Sequence, residues 1–145
     1  MNLAQIREMV EADLKIDQTS LDVESLRTPQ LHNKYLCLLH DETLSLTAIE
    51  HQMRRLAQNK REWYTGVMSK EKLDELGWEP YQKRILRQDL DAYVDADGDI
   101  LHLEAKFALQ REKVNYLSSI TKQITSRGWD IKNAIEWKKF INGTI

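Results

Sequence analysis

The stretch HQMRRLAQNKREWYTG, residues 51–66, holds the features around which the rest of the chain is organised. Its first eleven positions contain four cations and no acid. The cations are Arg54, Arg55, Lys60 and Arg61, and two large aromatic residues, Trp63 and Tyr64, follow before Gly66. Cations that meet phosphates, beside aromatic rings that stack on bases, are typical of proteins that bind single strands without sequence preference. The competing interpretation is a solvated basic face at the end of a helix, where cations are also favoured.

Outward from this stretch, the sequence predicts one uninterrupted helix of about nine turns. Thr28-Pro29 is a helix start signal, and no helix breaker follows until Gly66. An apolar stripe runs along this helix with spacings that alternate between three and four: Tyr35, Leu39, Leu46, Ile49, Met53, Leu56 and Trp63. Glu42 and Lys60 occupy polar positions in the same register. Such a seam predicts packing against another long helix, in the same chain or in a partner subunit.

A second long helix is predicted from about Ile100 to Arg127, where Gly128 supplies a C-cap signal. Its apolar stripe has the same spacing, with polar Gln110 and Thr121 in the same register: Ile100, Leu103, Phe107, Val114, Leu117 and Ile124. Shorter helices are predicted over residues 2–15, 69–76, 80–93 and 130–141, and no segment has a strand pattern. We therefore expect an all-α fold in which the two long helices, about 29–64 and 100–127, pack antiparallel with short flanking helices.

Length and composition limit the classes of function. The 145 residues are expected to form a single helical domain, with residues 1–128 as its core and 129–145 as a C-terminal helix. The net charge of −2 excludes a uniformly basic nucleic-acid coat. The charge is nevertheless uneven, because residues 1–50 hold four Lys or Arg against nine Asp or Glu, while residues 51–90 hold nine against six. A DNA-binding surface is therefore expected in the middle of the chain.

The cellular compartment is indicated by the cysteine content and by the lack of long apolar runs. Cys37 is the single cysteine, which fits a reducing compartment, and its neighbours Leu36, Leu38 and Leu39 predict that it is a small buried hydrophobe. No apolar run is long enough for a signal peptide or a membrane span. These features predict a cytoplasmic protein.

Residues 93–104, YVDADGDILHLE, partly match a calcium-binding loop. Asp95, Asp97 and Glu104 fall at ligand positions, but Tyr93 stands where the first carboxylate ligand belongs. An acidic turn between helices is the favoured interpretation. The histidines have no metal-ligand spacing, and there is no phosphate-binding glycine loop or nucleophile elbow. We therefore expect no enzyme activity, no metal and no cofactor.

Two blocks of the sequence resemble the UvsY family, the recombination mediators of T4-like phages. Residues 60–66, KREWYTG, are similar to the basic–acidic–aromatic–Tyr–small–Gly motif of that family. Residues 125–132, TSRGWDIK, are similar to its closing Ser-Arg-Gly-aromatic-x-Ile-Lys run, and residues 85–97 agree as well. The length is also similar, so the resemblance covers nearly the whole chain. One departure is residues 58–61, QNKR, where the family usually reads Lys-Ala-Arg-Leu.

The resemblance implies a small non-enzymatic protein of the host cytoplasm that binds single-stranded DNA and assembles into a ring-like homo-oligomer. The implied partners are a RecA-like recombinase and the single-strand-binding protein that this recombinase must displace. Lys60 matches a DNA-contacting position of the family, whereas Arg54, Arg55 and Arg61 are proposed from charge alone. Tyr64 is the expected stacking residue, and Trp63 fits either stacking on bases or the apolar seam.

The last predicted helix carries more apolar residues than a small domain needs to complete its core: Ile131, Ile135, Trp137 and Ile141. These residues are expected either to join subunits, as the family implies for its C-terminus, or to pack within one subunit. The alternative for the whole protein is a helical scaffold or adaptor, which binds partner proteins through its two seams and does not contact DNA.

Overall fold

The computed structural model describes residues 1–143, and this range is helical without a strand. Its elements are α1 (Leu3–Asp13), α2 (Leu21–Thr65), α3 (Lys70–Leu76), a 3-10 turn (Arg87–Asp89), α4 (Leu90–Asp95) and α5 (Gly98–Ile141). The all-α prediction is confirmed. Contacts group the chain into a terminal unit, residues 1–43 and 112–143, and a central unit, residues 44–111. The division into a core of residues 1–128 and a C-terminal element stays a prediction.

Helix α5 runs through Gly128 without a break. The predicted helix end at this glycine, and the separate last helix after it, are therefore wrong. Glycine in a helix interior costs only about 1 kcal/mol relative to alanine. Ile124 and Ile131, four residues before and three after it, are both buried, so packing on each side of the glycine keeps the helix continuous.

The helix predicted over residues 80–93 is replaced by an irregular segment that leads into the 3-10 turn and α4. Helix α3 ends at Gly77, whose left-handed backbone (φ 69°) lets its N–H reach carbonyls of the last turn. After it, the Tyr81 ring packs against Trp63 and Tyr64 of α2 instead of continuing a helical stripe. The course of this segment is thus determined by contacts with residues of α2, and the periodicity of the segment itself does not reveal these contacts.

The core of the terminal unit combines α1 with residues of α2 and α5, of which Tyr35, Leu117 and Ile124 come from the predicted apolar stripes. Its buried members are Ile6, Val10, Leu31, Tyr35, Leu117, Ile120 and Ile124. Within this unit α2 and α5 run antiparallel. The ion pairs show this, since Glu24 pairs with Arg127 while Glu42, further along α2, pairs with the earlier Lys113. Cys37 falls outside the stripe of α2 and is exposed, so the prediction that it is buried is wrong.

A buried ion pair joins α5 to the first turns of α2, next to Pro29. Helix α2 already begins at Leu21, so this proline lies inside the helix and does not start it. Proline cannot donate the backbone hydrogen bond of a helix interior. Arg127 forms an ion pair with Glu24 at side-chain exposures of 4% and 9%, and it also donates to the Glu24 carbonyl and to the Thr28 hydroxyl. The Ser-Arg-Gly run of the sequence therefore supplies a structural cation.

Replacing Arg127 by Met should destabilise the protein by about 1.5–3 kcal/mol, because the buried Glu24 carboxylate loses its buried cation and keeps only the more exposed Arg27. Urea unfolding at one fixed protein concentration measures this loss. Arg54→Met is the matched control, since Arg54 forms an exposed pair with Glu50 whose removal costs less than about 1 kcal/mol. Equal stability of the two variants would contradict a structural role for the buried pair.

Candidate functional site

Five aromatic rings gather at the end of α2 in the central unit and form what we call the aromatic cluster. Its members are Trp63, Tyr64, Trp78, Tyr81 and Tyr93. The centroids of neighbouring rings lie 4.8–5.9 Å apart, at steep interplanar angles. Each such pair contributes about 0.5–1.5 kcal/mol beyond the burial of its area. The cluster therefore fastens the irregular segment after α3, and α4 itself, to the end of α2.

Lys60, which the sequence analysis expects to contact DNA, is only 5% exposed. Its Nζ lies 3.1 Å from Asp97 Oδ2 and 2.9 Å from Asp99 Oδ2. The same atom lies 4.9 Å from the ring centroid of Trp63 and 4.5 Å from that of Trp78, which is within cation–π distance. In this conformation the ammonium group is satisfied inside the protein and is not presented to a phosphate.

Asp97 connects three parts of the central unit. Its Oδ1 accepts hydrogen bonds from the backbone N–H of Asp99 (2.9 Å) and Ile100 (3.3 Å), which caps the start of α5. Its Oδ2 accepts from the Tyr64 hydroxyl at 2.7 Å and pairs with Lys60. Burial raises the pKa of Asp97, but the hydrogen bonds from Tyr64, Lys60 and the backbone more than offset this, so the pKa lies below its ordinary value. Asp97 therefore carries the negative charge that the buried ammonium group needs.

Trp63 and Tyr64 have their polar atoms engaged within the protein. The Trp63 indole Nε1 donates to the Glu79 carbonyl at 2.6 Å. Burial and the hydrogen bond to Asp97 raise the pKa of Tyr64, which keeps its hydroxyl a donor. Both rings are half-buried. Trp63 thus packs inward at its position in the seam, while Tyr64 also lines a pocket.

The three arginines proposed from charge lie on the surface of α2. Arg54 pairs with Glu50 at 2.9 Å and is 71% exposed, and Arg61 pairs with Asp91 at 2.5 Å and is 46% exposed. Arg55 is exposed and has no ion pair within residues 1–143. Arg54 and Arg61 are seven residues apart, so they share one helix face with Arg55 beside them. We call these three residues the arginine face.

Three cations that the sequence analysis did not single out lie close to the same end of α2. Lys83, Arg84 and Arg87 line the pocket to which Tyr64 contributes. These cations belong to the positively charged region 51–90, and this charge surplus was the one feature of the sequence that could have pointed to them. Their position next to α2 depends on the course of the irregular segment, for which the sequence has no signal.

The residues predicted to join subunits divide into an inner and an outer set. Ile131 is 1% exposed and belongs to the core, and Ile135 is half-buried. Trp137 and Ile141 are 62% and 61% exposed. Phe140 is exposed as well and stacks on Trp137 with ring centroids 5.6 Å apart. The outer set, which we call the C-terminal patch, therefore consists of Trp137, Phe140 and Ile141.

Neither a metal site nor a membrane-spanning helix is found within residues 1–143. In this range no group of three His, Cys, Asp or Glu side chains is placed so that it could hold an ion. Asp97, from the stretch that partly matches a calcium loop, binds Lys60 and caps α5. No helix of the described chain is both long and apolar enough to cross a membrane.

Comparison with known proteins gives consistent matches along the chain. The family model described as "Recombination, repair and ssDNA binding protein UvsY" matches residues 9–144. The recombination protein uvsY of Enterobacteria phage T4 is 24% identical over 143 residues, which is 99% of each chain. A crystal structure of the bacteriophage T4 recombination mediator protein UvsY, lattice type IV, is similar with a TM-score of 0.83 and 22% identity, over 97% of this chain and 99% of the other. A second form, lattice type II, has a TM-score of 0.82 and 22% identity over 98% of each chain.

Lys60→Met should destabilise the protein by about 3 kcal/mol or more, because the buried Asp97 carboxylate loses its cation. Arg61→Met removes the neighbouring cation, whose pair with Asp91 is exposed, and should cost less than about 1 kcal/mol. Urea unfolding of both variants beside the wild type measures the difference. If Lys60→Met is as stable as Arg61→Met, Lys60 is not the structural cation of the central unit.

Proposed function

The chain belongs to the UvsY family of recombination, repair and single-stranded-DNA-binding proteins, and from this membership we propose that it is a recombination mediator. In this role it binds single-stranded DNA that is coated by single-strand-binding protein and helps a RecA-like recombinase to load onto the strand. It acts by binding and not by catalysis, in the cytoplasm of the phage's host cell. The name of its T4 relative, a recombination protein, supports the same role.

The observation that carries the DNA-binding part of the proposal is the arginine face of α2. Guanidinium groups bind phosphate oxygens through paired N–H donors and do not read the bases. The acidic partners of Arg54 and Arg61 lie at the surface, where an ion pair contributes about 0–1 kcal/mol. A phosphate can therefore replace Glu50 or Asp91 at small cost, and Arg55 needs no such exchange.

Lys60 supports this surface from inside the protein. Its pair with Asp97 ties the end of α2 to the start of α5, and its contacts with Trp63 and Trp78 hold the aromatic cluster in place. We propose that a change at Lys60 affects DNA binding by disturbing the cluster and the adjacent Arg61. Within the same proposal, Trp63 is part of the scaffold.

We further propose that the C-terminal patch joins copies of the chain into a ring-like homo-oligomer. A monomer leaves the aromatic rings of Trp137 and Phe140 largely in water, and aromatic residues buried at an interface supply much of its binding energy. An oligomer holds several arginine faces together, which raises the effective concentration of binding sites for one strand. Weak contacts to phosphate can then retain a long strand and still release it to the recombinase.

The double substitution Arg54→Gln/Arg55→Gln should weaken binding to single-stranded oligonucleotides of every sequence alike, because phosphate contacts carry no sequence information. Each lost phosphate contact should also reduce the slope of log K against log salt by about 0.7. Fluorescence anisotropy with labelled oligo(dT) and with a mixed-sequence strand, at several salt concentrations, measures both quantities.

The matched control for this pair is Lys106→Gln/Lys122→Gln, which removes two exposed charges of α5 that have no ion pair within residues 1–143. It should bind DNA as the wild type does. If the arginine variant binds as tightly as this control, with the same salt slope, the arginine face is only a solvated surface. That result would favour the alternative function, a helical adaptor that binds partner proteins and does not contact DNA.

Trp137→Asp/Ile141→Asp should lower the molecular mass measured by light scattering, because charges in the C-terminal patch oppose its burial between subunits. Val23→Asp/Leu26→Asp is the control, since these two residues of α2 are also apolar and exposed, and it should leave the mass unchanged. A monomeric wild type, or an oligomer that survives the first substitution, contradicts the proposed interface.

A further inference from the structure

We propose that the pocket at the end of α2, here called the basic pocket, binds one nucleotide of single-stranded DNA. In this assignment Lys83, Arg84 and Arg87 hold the phosphate, and the base lies against the Tyr64 ring. The inference rests on the proposed function and adds a second contact site beyond the arginine face. The pocket has a volume of about 460 Å³, which is within the range of about 300–1,000 Å³ that is typical of small-ligand sites.

The charges of the basic pocket favour an anion. Three of its nine lining residues are cations, and none is acidic. None of these three forms an ion pair within residues 1–143, whereas Arg54, Lys60 and Arg61 each have an acidic partner. Like charges gathered in one pocket repel each other, and a phosphate that neutralises them relieves this repulsion while releasing its own counterions.

The other lining residues indicate where the two parts of a nucleotide lie. Thr65 is the last residue of α2 and Gly66 follows it. The C-terminal end of a helix carries partial negative charge, so the phosphate is favoured on the segment 83–87 and not on α2. Tyr64 brings an aromatic ring, held in place by its hydrogen bond to Asp97. Cations together with a fixed aromatic ring suit a nucleotide, which has both a charged and a stacking part.

The position of the basic pocket continues the arginine face. Arg54, Arg61 and Thr65 are spaced seven and then four residues apart along α2, so they share one face of the helix. Thr65 lines the pocket, and its hydroxyl donates to the Arg61 carbonyl at 2.8 Å. A strand that follows the arginine face therefore arrives at the pocket where the helix ends. This continuity favours DNA over an acidic peptide as the ligand.

The experiment compares Lys83→Gln/Arg84→Gln/Arg87→Gln with Lys70→Gln/Lys106→Gln/Lys122→Gln, which removes the same charge from exposed positions without ion pairs within residues 1–143. The pocket variant should bind labelled oligo(dT) more weakly, with a salt slope reduced by about 0.7 for one lost phosphate contact. The control should match the wild type. Circular dichroism and light scattering establish that both variants fold and assemble normally.

A photocrosslinking arm locates the base. Oligo(dT) that contains 4-thiothymidine should crosslink the wild type within residues 64–66 or 83–90, as mapped by mass spectrometry, and the pocket variant should lose this crosslink. Wild-type crosslinks that all lie outside these residues overturn the inference. A competition experiment gives a second test, in which a glutamate peptide and an unlabelled oligonucleotide of equal charge are each added before crosslinking. If the peptide suppresses the crosslink as effectively as the oligonucleotide, the inference is also overturned, because the pocket would then recognise acidic peptides.

The two proposals fail in different ways. If the pocket variant equals its control while Arg54→Gln/Arg55→Gln still weakens binding, the basic pocket is not a DNA site and the proposed function stands. If the wild type binds no single-stranded DNA, the proposed function fails and the pocket assignment fails with it.

Discussion

The buried pair of Lys60 and Asp97 is the interaction on which the central unit depends. An ammonium group that is 5% exposed costs several kcal/mol to bury unless a carboxylate meets it. Asp97 provides that carboxylate while it caps α5 and accepts the Tyr64 hydroxyl. Burying Lys60 therefore requires that the start of α5 and the aromatic cluster assemble around it. The same assembly sets the position of Arg61, one residue further along α2, and of the Tyr64 ring.

The terminal unit uses a buried ion pair in a comparable way. Arg127 and Glu24 are both buried, and Lys113 with Glu42 forms a second pair that is mostly shielded from water. Buried pairs contribute little net stability compared with apolar packing of the same volume. A shift of α2 along α5 would, however, break both pairs and leave the buried Arg127 without a carboxylate, at a cost of several kcal/mol. Within this unit the pairs therefore select one register of an otherwise repetitive apolar seam.

Inner and outer cations of the chain have different roles. Lys60 and Arg127 are held by carboxylates inside the protein and stabilise the fold. Arg54 and Arg61 have partners only at the surface, where water weakens the pair and a phosphate can compete. A protein with a net charge of −2 can therefore present local positive charge to a polyanion. In the proposed function, the exchangeable outer cations bind the strand, and the inner ones hold the surface that carries them in shape.

The sequence by itself determined the helical class, the two seams and the break before α5, because helical periodicity and capping are set by residues a few positions apart. It also placed Lys60 in the register of the apolar seam. The burial of Lys60 agrees with that position and not with the exposed basic surface that its neighbouring cations suggest. Only the tertiary structure decided that Asp97 receives Lys60, that packing carries α5 through Gly128, and that residues 83–87 lie beside Tyr64. The reason is that partners far apart in the chain depend on the course of the segments between them, and an irregular segment has no period from which that course can be predicted.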